Sequence, residues 1–302
     1  MKDIKKIFAI EIVFLLLIIA VDVVVVAREN ESRPLVSPIP ERILGINVEG
    51  PAATLNGQEI TRGGVWPKIA ALSPSPTPAE TSSPQRTLSK NSYSVAVFGD
   101  SMEDTMGTNL DYLNTSLRKK YPGVNFSFYN YGIGSQNVDD GLNRVCQKFD
   151  YKDRHYPSLC DLKPDVLIVG SFAYNPFSPY DRNRHWLRLA NLVEGLRNVS
   201  GNIYLLAEIA PLKQNFGLGP AGINWQRDAA VQQSVHINEQ LKNAVGLAGS
   251  LGIPLIDAYD ATINVISQEG NRGYVNPGDG IHPSVSGHIF MADLMADKIS
   301  IK

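Results

Sequence analysis

The feature that most limits the fold is a regular alternation of short β-rich runs with helical stretches, beginning at Tyr93. Residues 93–98 (YSVAVF) form an apolar run that stops at Gly99. Residues 110–120 carry apolar side chains at helical spacing, and 124–129 read as the next strand. Residues 164–170 (PDVLIVG) give the clearest buried-strand signal, and 203–209 and 253–256 complete the set. Helices are expected over 182–199, 227–251 and 284–299. The first of these should bury Trp186, Leu187, Leu189, Leu192, Val193 and Leu196. Such alternation specifies an α/β fold with a parallel sheet covered by helices on both faces. The stretch 93–302 is long enough for one such three-layer domain.

The chain before it follows different rules. Lys2, Lys5 and Lys6 precede an apolar run over 7–27, broken only by Glu11 and Asp22. About 20 apolar residues span a bilayer as a helix. Basic residues before the run favour an N-terminus inside and the rest of the chain outside. Segment 1–28 therefore reads as a single-pass membrane anchor. The alternative is a secretory signal peptide, in which case the protein is secreted; both place the domain outside the cytoplasm. Residues 29–92 are rich in Pro, Ser, Thr and Gly, and 73–84 (SPSPTPAETSSP) reads as a semi-extended linker or stalk.

A formal net charge of -2 offers no basic excess for tracking phosphates, so no nucleic-acid partner is expected. The sequence lacks zinc-type Cys pairs, H-E-x-x-H and a P-loop, and no metal or organic cofactor is expected. There are two cysteines, Cys146 and Cys160. Outside the cytoplasm they could form a disulfide closing a loop of about 15 residues, worth roughly 3 kcal/mol. Spacing alone does not choose between a bridge and two thiols.

In an open α/β sheet, functional groups gather beyond the carboxyl ends of the strands. Four segments fall there or just before the last helix: Gly99-Asp100-Ser101-Met102, Asn130-Tyr131-Gly132-Ile133-Gly134-Ser135, Ser171-Phe172-Ala173-Tyr174-Asn175-Pro176, and Asp279-Gly280-Ile281-His282-Pro283. Each suits one task in acyl transfer. A serine hydroxyl needs a base to become a nucleophile, and His282 can be that base, since an unperturbed imidazole has its pKa close to working pH. Asp279, three residues earlier, can hold that imidazole and stabilise its cationic form. Backbone N–H groups of Ser101 and the glycine-rich segment, with the Asn175 amide, could converge on an oxyanion. Singly, each segment is an ordinary turn or helix entry; their order and placement together are what carry the reading.

On these segments the chain resembles the SGNH, or GDSL, hydrolase superfamily over the whole of 93–302. The resemblance implies a flavodoxin-like three-layer α/β/α sandwich, with Ser101 as nucleophile, His282 as base and Asp279 as its partner. It further implies an oxyanion hole of Ser101, Gly134, Ser135 and Asn175. Two departures stand out. Such families usually have glycine where this chain has Ser135, so either serine adopts the required backbone or Gly134 supplies the bend. They also usually read Gly-x-Asn-Asp where this chain has Ala173-Tyr174-Asn175-Pro176, so support for that loop must come from elsewhere.

Other signals are weaker. Residues 217–222 match G-x-G-x-x-G, but they do not open a helix directly after a strand, and Pro220 lies among them. The whole stretch 211–224 reads as a mobile loop near the site. Glu103 and Asp104 read as a helix-start preference. His155, His185 and His236 lack ligand partners at useful spacing, and His288 reads as a partly exposed helical residue. Phe172, Tyr174, Phe177 and Tyr180 crowd the Asn175 loop, either lining a pocket or packing beneath it. The expected activity is hydrolysis of carboxylic esters, O-acetyl glycans or lipid esters of the cell envelope, through an acyl-serine. The alternatives are acyl transfer to an envelope glycan and a catalytically silent glycan-binding module.

Overall fold

The computed structural model describes residues 89–301. The apolar segment 1–28 and all but the last four residues of 29–92 lie outside the described residues. Among the described residues no helix is long and apolar enough to cross a membrane.

Five parallel strands form the central sheet: β1 (Ser92–Gly99), β2 (Asn125–Gly132), β5 (Val166–Gly170), β6 (Ile203–Ala207) and β7 (Leu255–Asp257), in the spatial order β2-β1-β5-β6-β7. Counting only these five, the order is 2-1-3-4-5, the flavodoxin-like arrangement. The inner strands read as continuous apolar runs because helices cover both faces: Val95 to Phe98 and all of β5 and β6 are buried. One helical layer pairs α2 (Asp111–Lys120) with α8 (Val285–Lys298). The other packs α5 (Arg182–Leu196) against both α3 (Val138–Arg144) and α6 (Arg227–Leu251). The predicted bounds of α6 coincide with the observed ones; it ends at Gly252, whose left-handed φ of 63° closes the helix.

The differences have local causes. In α5 Leu187 is 61% exposed and His185 occupies the inner face instead, with Leu189, Leu192, Val193 and Leu196. Residues 185, 189, 192 and 196 follow the spacing of one helical stripe, whereas 187 points away. Strand β2 begins at Asn125 and extends to Gly132, three residues beyond its expected end, because it pairs with β1 along all eight of its residues. A hairpin of β3 (Phe149–Tyr151) and β4 (Arg154–Tyr156) follows α3. Its strands are too short and polar to show alternation. The Phe149 ring packs on Tyr131 and Tyr156.

Cys146 and Cys160 are joined in a disulfide with their Cα atoms 5.1 Å apart, within the usual range. The loop it closes contains this hairpin. The bridge limits how far the hairpin can drift in the unfolded chain, so replacing both cysteines with alanine should lower stability by about 3 kcal/mol. Denaturant titration of the double variant checks this; an unchanged midpoint would mean that the bridge constrains little.

Candidate active site

Ser101 opens α1 (Ser101–Asp104), the turn that follows β1. Asp100 is the N-cap: its Oδ1 accepts the Met102 N–H at 2.8 Å, and Glu103 Oε2 accepts the Asp100 N–H at 2.9 Å. This reciprocal capping box fixes the approach to Ser101. It also draws Glu103 fully inside, over two glycines. A Cβ on Gly99 would lie 1.9 Å from Glu103 Oε2, and one on Gly170 2.7 Å from its Cδ. Glu103 is therefore no mere helix-start preference, and the two strand-end glycines make room for its carboxyl.

Three carboxyl groups meet at this point. Asp100, Glu103 and Glu208 are all buried, where desolvation and mutual repulsion disfavour charge. Burial, then Glu208 and Asp100, push Glu103 well above the ordinary carboxyl value. Burial and Glu208 push Asp100 up to about 7. Burial also raises Glu208. A neutral Glu103 can then share its proton with Glu208. Nearby, the Arg144 guanidinium donates to the Gly99 carbonyl at 2.8 Å and lies over the Phe98 ring. Burial and Arg154 lower its pKa to about 9, while Asp100 acts in the opposite direction.

The second segment begins inside β2. Asn130 Nδ2 donates to the carbonyls of Glu103 and Gly107, and its Oδ1 accepts the Gly132 N–H. Gly132 is packed directly on α1: a Cβ there would sit 2.2 Å from the Asp104 nitrogen. Arg154, 2% exposed, ties the hairpin to this corner. It donates to the carbonyls of Asn130 and Gly132 and pairs with Asp104 at 2.5 Å. Lys152 pairs with the other Asp104 oxygen at 2.7 Å. The bend lies at Ser135, whose φ is 62°, and Gly134 keeps an ordinary φ. Serine thus takes the left-handed conformation itself, at a cost of roughly 1–3 kcal/mol.

The third segment is held without the acidic neighbour that the resemblance leads one to expect. Ser171 donates its N–H to Glu208 Oε1 at 2.7 Å and its hydroxyl to Glu208 Oε2. Its Oγ accepts the Ala173 N–H. The neutral His185 ring, lowered to about 4 by burial, lies 2.9 Å from the Ser171 carbonyl through Nε2, with Asn243 at its other nitrogen. Phe172 adopts φ 57° in the core, edge-on to Phe98. The Tyr174 hydroxyl donates to the Ile209 carbonyl. This sequence of contacts delivers Asn175, whose Nδ2 donates to Asp100 Oδ2 at 2.9 Å. A side-chain amide has two N–H groups, so one anchors Asn175 and the other remains for the cleft.

The fourth segment is a turn closed by its own aspartate. Asp279 Oδ1 accepts the N–H groups of Ile281 and His282, and Oδ2 lies 2.9 Å from His282 Nδ1. With Nδ1 turned to Asp279, a proton carried there leaves Nε2 able to accept another. Ser284 then caps α8 by accepting the Gly287 N–H.

Ser101, Gly134, Ser135, Asn175, Asp279 and His282 line one cleft of about 560 Å3. Among the described residues no hydrogen bond joins Ser101 to His282, a contact that commonly tightens only with substrate bound. Tyr174 lines the same cleft, whereas Phe172 is core. Residues 217–222, expected to be mobile, are tied to the Asp279 turn: Gly217 N–H donates to the Gly280 carbonyl and Ala221 N–H to that of Gly278. Beyond this loop Ile223 and Trp225 form a wall of the cleft. Among the described residues no cluster of His, Cys, Asp or Glu could hold a metal ion.

The raised Asp100 pKa has a stability consequence. A carboxyl with a raised folded pKa gives stability that is complete below its unfolded value, near 3.8, and lost as pH rises through about 7. Asp100→Asn cannot ionise, so its Tm relative to the parent should improve between pH 4.5 and 8, by on the order of 5 °C. Thermal melts at the two pH values check this, and a pH-independent difference would exclude Asp100 as the titrating group.

A sequence model of the GDSL-like lipase/acylhydrolase family matches residues 95–295. No curated protein sequence matches the chain. A lipase/acylhydrolase from Enterococcus faecalis has 16% identity, with 68% of this chain and 95% of that one aligned at a TM-score of 0.51. A GDSL-like lipase from Bacteroides thetaiotaomicron has 16% identity, with 68% and 86% coverage at a TM-score of 0.50. At that identity the two structures speak for the fold. The family match spans about two thirds of the sequence and includes both the Gly99–Met102 and the Asp279–Pro283 segments. This chain belongs to the GDSL-like lipase/acylhydrolase family and is a carboxylic-ester hydrolase of that type.

Proposed function

We propose that the chain is a membrane-anchored, extracytoplasmic serine esterase that removes acyl groups from cell-envelope glycans or lipids. The observation that carries the chemistry is the His282 Nδ1–Asp279 Oδ2 contact at 2.9 Å in the cleft that also holds Ser101 and Asn175. Ser101 Oγ attacks the ester carbonyl carbon while His282 Nε2 takes its proton. Asp279 stabilises the resulting imidazolium. The oxyanion is held by the N–H groups of Ser101 and of the Gly134–Ser135 bend, together with the unanchored N–H of Asn175. The imidazolium then protonates the leaving alcohol, and water, activated by His282, cleaves the acyl-serine.

The location rests on the basic-then-apolar N-terminus and on the Cys146–Cys160 bridge, since disulfides persist mainly outside the cytoplasm. An envelope substrate follows from that location.

Ser101→Ala should lower kcat on a p-nitrophenyl acetate-type ester by about 10⁴-fold or more while leaving the fold intact. Asn175→Ala should cost about 10²–10³-fold in kcat. Steady-state kinetics on the purified chain check both, and undiminished hydrolysis by Ser101→Ala would end the serine mechanism.

A further inference from the structure

Beside the catalytic cleft lies a second groove, of about 380 Å3, between the chain following Asn175 and the first turns of α6. Trp225 and Gln233 line both spaces, so the two adjoin. We infer that this groove is a subsite for a neutral sugar ring in the alcohol half of the ester. The assignment rests on the esterase reading above and adds the substrate class.

The groove combines flat apolar surface with unused polar groups. Trp225 is 39% exposed. The Tyr180 and His236 rings stack with centroids 3.8 Å apart and nearly parallel planes. From α6, Gln232 and Gln233 lie four and three residues before His236, so each neighbours it on the helix surface. Neither glutamine amide makes a hydrogen bond within the protein among the described residues, so each has donors and an acceptor to offer. No lysine, arginine, aspartate or glutamate lines the groove. A phosphorylated or anionic ligand would meet no lysine or arginine in that lining, Arg184 being engaged over the Phe177 ring. A fatty chain would strip water from two amides without replacing their hydrogen bonds. A pyranose suits both properties, since it has hydroxyls at its rim and a C–H face that lies on an aromatic ring. Few convergent polar groups beside an aromatic wall are what orient a small ligand.

The position defines the direction of binding. Because Trp225 and Gln233 line both spaces, an alcohol half that leaves the cleft on their side would extend over Gln233 toward His236. A small acyl group and a glycan alcohol thus occupy opposite ends of the combined space.

The test uses the full chain with acetylated xylotetraose and acetylated chitotetraose as probes. First, the Ser101→Ala chain is titrated with each probe by calorimetry. Saturable binding of at least one is expected, weakened tenfold or more by adding Trp225→Ala or Gln232→Ala. Absence of binding, or binding indifferent to both changes, overturns the subsite. Second, in the chain with Ser101 intact, Gln232→Ala and His236→Ala are compared on the probe that bound and on p-nitrophenyl acetate. The ratio of kcat/KM values should fall at least tenfold, chiefly through KM. An equal loss on both substrates would assign the residues to the fold and overturn the proposal. If the oligosaccharide binds but no ester is cleaved, the esterase reading fails and the subsite stands. If p-nitrophenyl acetate is cleaved but neither oligosaccharide binds, the reverse holds.

Discussion

The active-site architecture depends on the burial of three carboxyl groups where β1, β5 and β6 end. Asp100, Glu103 and Glu208 each organise a different piece of backbone. Glu103 holds the Asp100 N–H, Asp100 holds the Met102 N–H and the Asn175 amide, and Glu208 holds Ser171. Burying three such groups is expensive unless protons are shared and hydrogen bonds completed. Raised pKa values, backbone donors and the nearby Arg144 offset part of that cost, while Glu103 Oε1 is buried without a hydrogen-bond partner among the described residues. The gain is precision of placement. Ser101 and Asn175 come from different strands, yet Asp100 touches the backbone that begins the first and the side chain of the second.

A second network acts from the opposite side. Arg154 reaches from the hairpin to the end of β2 and to Asp104 in α1. Arginine can serve three acceptors at once because its donors lie in one rigid plane. The disulfide closes the loop that carries Arg154 and Lys152. A covalent link some distance from Ser101 therefore bears on the corner where α1 meets the Gly134–Ser135 bend.

The sequence made the strands legible where both faces are covered. In β1, β5 and β6 nearly every residue is apolar, leaving no ambiguity of period. The four site segments were legible because strand ends are where a parallel sheet presents chemistry. The supporting residues were harder to see. Glu103 had a usable signal, the Asp-x-x-Glu spacing of a capping box, which its neighbour Asp104 obscured. Glu208 had none: a single glutamate after a strand has no distinguishing pattern, and only tertiary packing places it under Ser171. The hairpin escaped notice for a related reason, since three-residue strands rich in charge and aromatic residues depend on distant partners. At Ser135 the local rule that favours glycine is overruled by the surrounding structure, as happens where a backbone N–H must point at a fixed place.

These constraints separate the parts of the site that can vary from those that cannot. Asp100 and Glu208 fix the loop bearing Asn175 up to that residue, and the chain from Pro176 to Tyr180 goes on to form the wall of the adjoining groove. Asn175 and the groove wall thus belong to one short stretch with one rigid end. On the proposed reading, a ring bound against that wall would be referenced to Asn175, so binding away from the reacting bond would help orient it. Among the described residues, no hydrogen bond joins Trp225, Gln232, Gln233 or His236 to the carboxyl cluster. On the proposed reading, the reaction stays at the strand ends and the choice of alcohol falls to α6 and the loop before it.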